Sequence, residues 1–184
     1  MFLESLILHN FRCFSDLTVN FNNRLTVIVG GNGAGKSTVL DAATIAAGTL
    51  TSAMDGLTNY GIKKGDAHYK CFDLGSNVDV QPQFPVEITA TGDVDGKEIT
   101  WTRNLNSAKG RGGLASVKPL TLVAQSYQER MRSGDRELKL PIISYYGTGR
   151  LWAQHKERKK VILLKRITEV TDILTVWMVQ PMIN

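Results

Sequence analysis

"RLTVIVGGNGAGKSTVLDA", Arg24 to Ala42, passes from an apolar run through a cluster of glycines into a helical pattern. Leu25 to Val29 is almost continuously apolar, as expected of a strand buried on both faces. Gly30-Gly31-Asn32-Gly33-Ala34-Gly35-Lys36-Ser37 then fits G-x-x-x-x-G-K-[ST], the P-loop pattern, in its required setting of strand before and helix after. Val39, Ala43, Ala46 or Ala47, and Leu50 recur at spacings of three to four, which predicts that the helix follows at once.

The residue types answer to a chemical need. A polyphosphate asks for a concave array of backbone N–H donors, and a turn whose amides converge requires positive φ or a missing Cβ, which Gly33 and Gly35 supply. The helix beginning near Lys36 adds unpaired N–H groups and the positive end of its dipole. Lys36 is placed for the β- and γ-phosphates of ATP, Ser37 for Mg2+, and Thr38 for the α-phosphate. Gly30, Asn32, Gly33, Ala34, Gly35, Lys36, Ser37 and Thr38 are therefore the candidate ATP-binding residues, with Ser37 the candidate metal ligand.

Outward from the loop, Leu3 to Leu8 and Leu17 to Phe21 form an N-terminal hairpin around "NFRCF", Asn10 to Phe14. A hairpin feeding straight into a P-loop strand is not the layout of small GTPases or nucleoside kinases. The stretch "LESLILHNFRCFSDLTVNFNNRLTVIVGGNGAGKSTVLDA" resembles the N-terminal lobe of RecF/SMC-type ATPases, the ABC-like heads of DNA repair and chromosome-maintenance proteins. It also resembles the related AAA-type ATPases found with bacterial defence systems such as retrons and Septu, and "ISYYGTGRLW", Ile143 to Trp152, looks like a motif of that narrower group. The likeness is strong over residues 1–50, loose over 50–140 and local again at 141–152.

That resemblance implies an α/β P-loop NTPase fold, the N-terminal lobe of an ABC-like head, with a partly parallel sheet plus an antiparallel β-layer. It implies ATP and Mg2+ as cofactors, and DNA, a second ATPase head in a homodimer and a nuclease as partners. It makes Arg12, in the N-F-R element, a candidate contact to the nucleotide's phosphates or base; a surface arginine in a hairpin turn is the other reading. Asn10 is expected to close that turn through its own side-chain amide.

Further along, Phe84 to Leu105 predicts an antiparallel hairpin turning at Asp95-Gly96, and Leu120 to Arg132 predicts a helix ended by Ser133-Gly134. The basic, glycine-rich stretch 106–118 reads as a phosphate-backbone contact or as a disordered hairpin exit. Asp66 reads as a turn carboxylate. Pro141 to Tyr146 predicts a buried strand whose exit loop carries Thr148 and Arg150 toward nucleotide or a partner's phosphate, or simply a turn with a solvated arginine.

Hydrolysis in such heads needs an acidic residue ending an apolar strand, an adjacent Glu to activate water, and an LSGG-like signature from a second head. None is in this sequence, so no catalytic residue is assigned, and ATPase activity is expected of the complete protein rather than of this chain alone. Residues 1–160 are read as the P-loop lobe and 161–184 as an atypical tail, left by truncation or a frame shift after about residue 160. A basic helix contacting DNA is the alternative for that region, where the stretch from Arg150 through Arg166 holds seven Lys or Arg, the end residues included.

Composition adds bounds. The net charge of +5 suits nucleic acid or another polyanion, and a non-catalytic nucleotide- or DNA-binding module is the alternative function. Cys13 and Cys71 make no framework, and His9, His68 and His155 are scattered, which argues against a metal cluster. The start, "MFLESLILHNF", lacks the basic n-region and cleavage site of a signal peptide, and no apolar run reaches membrane-spanning length, so the expectation is a cytoplasmic protein without a membrane partner.

Overall fold

A computed structural model gives the fold; it describes residues 1–147 apart from 56, 58, 59, 76, 111, 112, 114 and 115. Strands β1 (Phe2–Phe11) and β2 (Phe14–Asn20) form the N-terminal hairpin, and β5 (Val86–Val94) and β6 (Lys97–Leu105) form the second. Between them lie helix α1 (Lys36–Ser52), a 3₁₀ turn at Lys64–Asp66, and β3 (Tyr69–Asp73) with β4 (Val78–Pro82). Helix α2 (Lys118–Arg132) follows.

The four-stranded sheet has the order β2-β1-β5-β6, every neighbouring pair antiparallel. Period-2 patterning explains it: Val86, Ile88, Ala90 and Val94 of β5 and Ile99, Trp101 and Leu105 of β6 are buried on one face. On the other face, hydroxyl pairs Thr89–Thr102 at 3.0 Å and Thr91–Thr100 at 2.9 Å run across the strands. The type of turn follows from Asp95 (φ 58°) and Gly96 (φ 75°), both in the left-handed region as a two-residue hairpin requires.

In β1 the buried residues are Leu3, Leu6, Leu8 and Phe11, which breaks strict alternation. A register shift between Leu3 and Ser5 supplies the extra residue. Gly92 lies opposite that irregularity, where a Cβ would sit 3.1 Å from Leu3 Cα and closer still to the Phe2 carbonyl.

α1 packs on the apolar face through Ala42, Ile45, Ala46 and Leu50, the two alanines letting the helix approach the sheet. Trp101, fully buried, fills the space between and donates its indole N–H to the Ala46 carbonyl at 3.0 Å. α2 lies on α1 and β6 through Leu120, Ala124 and Tyr127 and ends at Gly134, φ 78°. The β3–β4 hairpin stands apart from this core as a separate two-stranded sheet.

Two expectations need correction. Leu25 to Val29 is not a strand, and Leu25, Val27 and Val29 are 69%, 70% and 87% exposed. Pro141 to Tyr146 holds a single bridge residue, Ser144, with Ile142 69% exposed. Both runs are apolar in the way that suits a central parallel strand, and such a strand exists only where neighbouring strands take up its N–H and C=O groups. No strand among the described residues flanks them. The antiparallel layer of the expected fold is thus formed, and among the described residues these two apolar segments are not paired into a parallel sheet. Thr148, Arg150 and the tail 161–184 lie outside the described residues, as do 111, 112, 114 and 115 of the glycine-rich stretch.

Candidate functional site

Helix α1 begins on Gly35, which adopts φ 86° and ψ 13°. A side chain there would be strained by that backbone, and its Cβ would lie 2.8 Å from Cys13 Sγ and closer to the Phe14 ring. Glycine at this position lets the phosphate loop press against the β1–β2 connection. Gly33 is also left-handed, φ 80°, and Gly30 fits beside Ala34, whose Cβ a substituent would meet at 3.3 Å.

No side chain caps the start of α1, so its first N–H groups face outward with the helix dipole behind them. Lys36 Nζ donates to the carbonyls of Gly30 at 2.8 Å and Gly31 at 2.6 Å, folding its charge over the loop's own backbone. The Ser37 side chain is exposed, whereas Thr38 is buried, and its hydroxyl accepts from Cys13 Sγ at 3.7 Å. A cleft of about 410 Å³ opens here, lined by Arg12, Cys13, Asn32, Gly33, Gly35, Lys36, Ser37 and Thr38. That size accommodates a nucleotide-sized ligand.

Arg12 enters from the β1–β2 connection. Its Nε donates to Asp66 Oδ1 at 2.7 Å and its Nη1 to Asp41 Oδ2 at 2.5 Å, while the guanidinium carbon stands 5.2 Å from the Phe11 ring centroid. Burial disfavours its charge, but the bonds to Asp41 and Asp66 outweigh that, and the guanidinium is held above its ordinary value. Asp41 also accepts a hydrogen bond from the Tyr145 hydroxyl. Burial, and then that bond, push the Tyr145 phenol up to about 12.

A family profile described as AAA domain matches residues 5–175 of the chain. The chain belongs to that AAA domain family. Structural maintenance of chromosomes protein 6 of Schizosaccharomyces pombe is 30% identical over 105 residues, 56% of this AAA chain and 9% of that protein. DNA replication and repair protein RecF of Psychromonas ingrahamii is 45% identical over 42 residues, 23% of this chain and 12% of that protein. The SMC head domain from Thermotoga maritima is similar in structure at 24% identity and a TM-score of 0.42, over 71% of this chain and 42% of that one. The AAA chain spans about a tenth of the length of each of these two curated relatives.

Of the residues singled out in the sequence, Arg12, Asn32, Gly33, Gly35, Lys36, Ser37 and Thr38 come together around one cleft, and Gly30 and Ala34 frame its loop. Asn10 does not close its own turn; its amide donates across to the Pro85 carbonyl at 3.1 Å, because Asn10 itself is left-handed, φ 50°, and turns its side chain toward the start of β5. Three residues bonded into the Arg12 cluster were not read from the sequence as such: Asp41, Asp66 and Tyr145. Asp41 has a local signal, since it lies five residues beyond Lys36 on the same helix; the other two reach the site only through the fold. Among the described residues there is no group of three His, Cys, Asp or Glu that could hold a metal, and no helix is long and apolar enough to cross a membrane.

Proposed function

We propose that this AAA domain chain is the ATP-binding N-terminal lobe of a RecF/SMC-like P-loop ATPase that acts with DNA, in repair or in anti-phage defence. The observation that carries the reading is the uncapped start of α1 behind a left-handed Gly35, with Lys36 and Arg12 bordering the same cleft. The loop amides from Gly30 to Ala34 and the first amides of α1 bind the phosphates. Lys36 moves from the Gly30 and Gly31 carbonyls onto the β- and γ-phosphates, exchanging neutral acceptors for charged ones. Arg12 supplies a second cation, and Asn32 borders the entrance.

The donor set fits Mg2+ held jointly with nucleotide. Ser37 offers one exposed hydroxyl, and the hard-cation preference for oxygen and water fills the remaining positions from phosphate and solvent. Bound there, Mg2+ would neutralise charge on the β- and γ-phosphates. No described side chain in the cleft is a carboxylate able to activate water, so this lobe binds ATP and turnover needs residues from elsewhere. A second head and a nuclease are the partners this reading calls for, and the exposed apolar segments at 25–29 and 140–146 support completion by further protein.

Calorimetric titration with Mg·ATP tests the reading. Binding by the chain and its loss in Lys36→Ala are expected; unchanged affinity in that variant would refute it. The net charge of +5 favours a second reading, a DNA-binding module in which nucleotide is secondary. Salt-dependent DNA binding that ignores ATP and survives Lys36→Ala would select it.

A further inference from the structure

Arg12 is held in place far more firmly than a surface arginine requires. It and Asn10 are left-handed non-glycine residues, φ 52° and 50°, a conformation that asparagine tolerates but that an arginine holds only where the surroundings favour it. The element that favours it is the segment after the 3₁₀ turn. Arg12 N–H donates to the Asp66 carbonyl at 2.7 Å, His68 N–H donates to the Asn10 carbonyl at 2.8 Å, and Phe11 bridges Ala67. His68 Nδ1 adds a bond to the Arg12 carbonyl at 2.8 Å.

The guanidinium is fixed in the same way. Asp66 is 6% exposed, and its second oxygen accepts the Lys63 N–H at 2.8 Å, so the carboxylate cannot swing away from Arg12. Asp41 is tethered by Tyr145 on its other oxygen. These bonds occupy Nε and Nη1 and leave Nη2 with no hydrogen-bond partner among the described residues, on a side chain that lines the phosphate-loop cleft. Two carboxylates around one guanidinium leave a local excess of negative charge beside a loop suited to a polyanion. Charge alone would oppose that arrangement, whereas orientation of a planar donor accounts for it.

We propose that Asp66 and Asp41 are positioning residues: they clamp two sides of the Arg12 guanidinium so that Nη2 donates to a phosphate oxygen of the nucleotide in the cleft. This rests on the ATP-binding reading above. The rival is a brake, in which the two carboxylates hold Arg12 away from the phosphates.

Calorimetry with Mg·ATP on the 184-residue chain separates these, with Arg12→Ala, Asp66→Ala, Asp66→Asn and the Arg12→Ala/Asp66→Ala double variant. A charge-assisted bond lost on positioning predicts about a tenfold weaker affinity in Asp66→Ala. Asp66→Asn, which keeps an oxygen acceptor, should stay within about threefold, and Asp66→Ala should cost nothing further once Arg12 is gone. Tighter binding in either Asp66 variant would establish the brake and overturn the proposal. An equal loss with and without Arg12 would overturn it too, as a purely structural effect. If circular dichroism shows Asp66→Ala unfolded, the same cycle run with Asp41→Ala and Arg12→Ala decides by the same criteria. Loss of binding in Lys36→Ala with no change in Asp66→Ala would overturn the clamp alone. A chain that binds no ATP would overturn the nucleotide reading and the clamp with it.

Discussion

Gly35 and Gly33 share a left-handed backbone yet differ in what surrounds them. Around Gly33 a Cβ would meet nothing within 4 Å, whereas at Gly35 it would strike Cys13 and Phe14. Gly33→Ala should therefore cost about 1 kcal/mol, the backbone penalty alone. Gly35→Ala should cost about 2–4 kcal/mol, because overpacking adds to it. Urea melts of the two variants measure the difference, and equal losses would contradict the packing described between the phosphate loop and the β1–β2 connection. The loop itself was legible from the sequence because its chemistry is local: eight consecutive residues carry the turn, the lysine and the hydroxyl. The partners of Arg12 were not. Asp41 is 29 residues away and Asp66 is 54, and Asp66 has no feature that sets it apart from an ordinary turn carboxylate. Left-handed Arg12 was equally invisible, since its conformation is favoured by residues 66–68 rather than by its own side chain.

Among the elements, the hairpins and both helices were readable because alternation and three-to-four spacing survive without knowledge of neighbours. Burial of Leu25–Val29 and Pro141–Tyr146 was not, since a continuous apolar run states a demand for flanking strands and does not supply them. Trp101 shows how much rests on one residue of a legible strand. It is fully buried between sheet and α1, so Trp101→Ala should lower stability by about 3–5 kcal/mol, read from urea melts. Tyr145 ties segment 141–146 to α1 through Asp41, and its folded value of about 12 exceeds the ordinary 10.0. A raised value, set first by burial and then by this bond, means that the neutral phenol's contribution is full below about pH 10 and is lost as the pH rises toward about 12, because the unfolded phenol ionises first. Stability should fall across that window in the parent chain, and Tyr145→Phe should flatten the fall; identical profiles would show that the hydroxyl contributes nothing.

At the scale of the whole molecule, one face of the chain is a finished core and another is not. Leu25, Val27, Val29, Leu140 and Ile142 are all at least 40% exposed, and they belong to segments that join no sheet among the described residues. Clustered exposed apolar residues are a surface for association. Sedimentation velocity should show concentration-dependent self-association, reduced by Leu25→Lys with Val27→Lys; a chain monomeric at all concentrations would contradict this. The nucleotide reading rests on the phosphate loop and on α1, which packs on the antiparallel sheet. Its most direct measurement is the backbone amide spectrum of the ¹⁵N-labelled chain with and without saturating Mg·ATP. The account predicts large downfield shifts of the Gly33, Gly35, Lys36 and Ser37 amides, absent in Lys36→Ala. Unmoved loop amides at saturating nucleotide would contradict it.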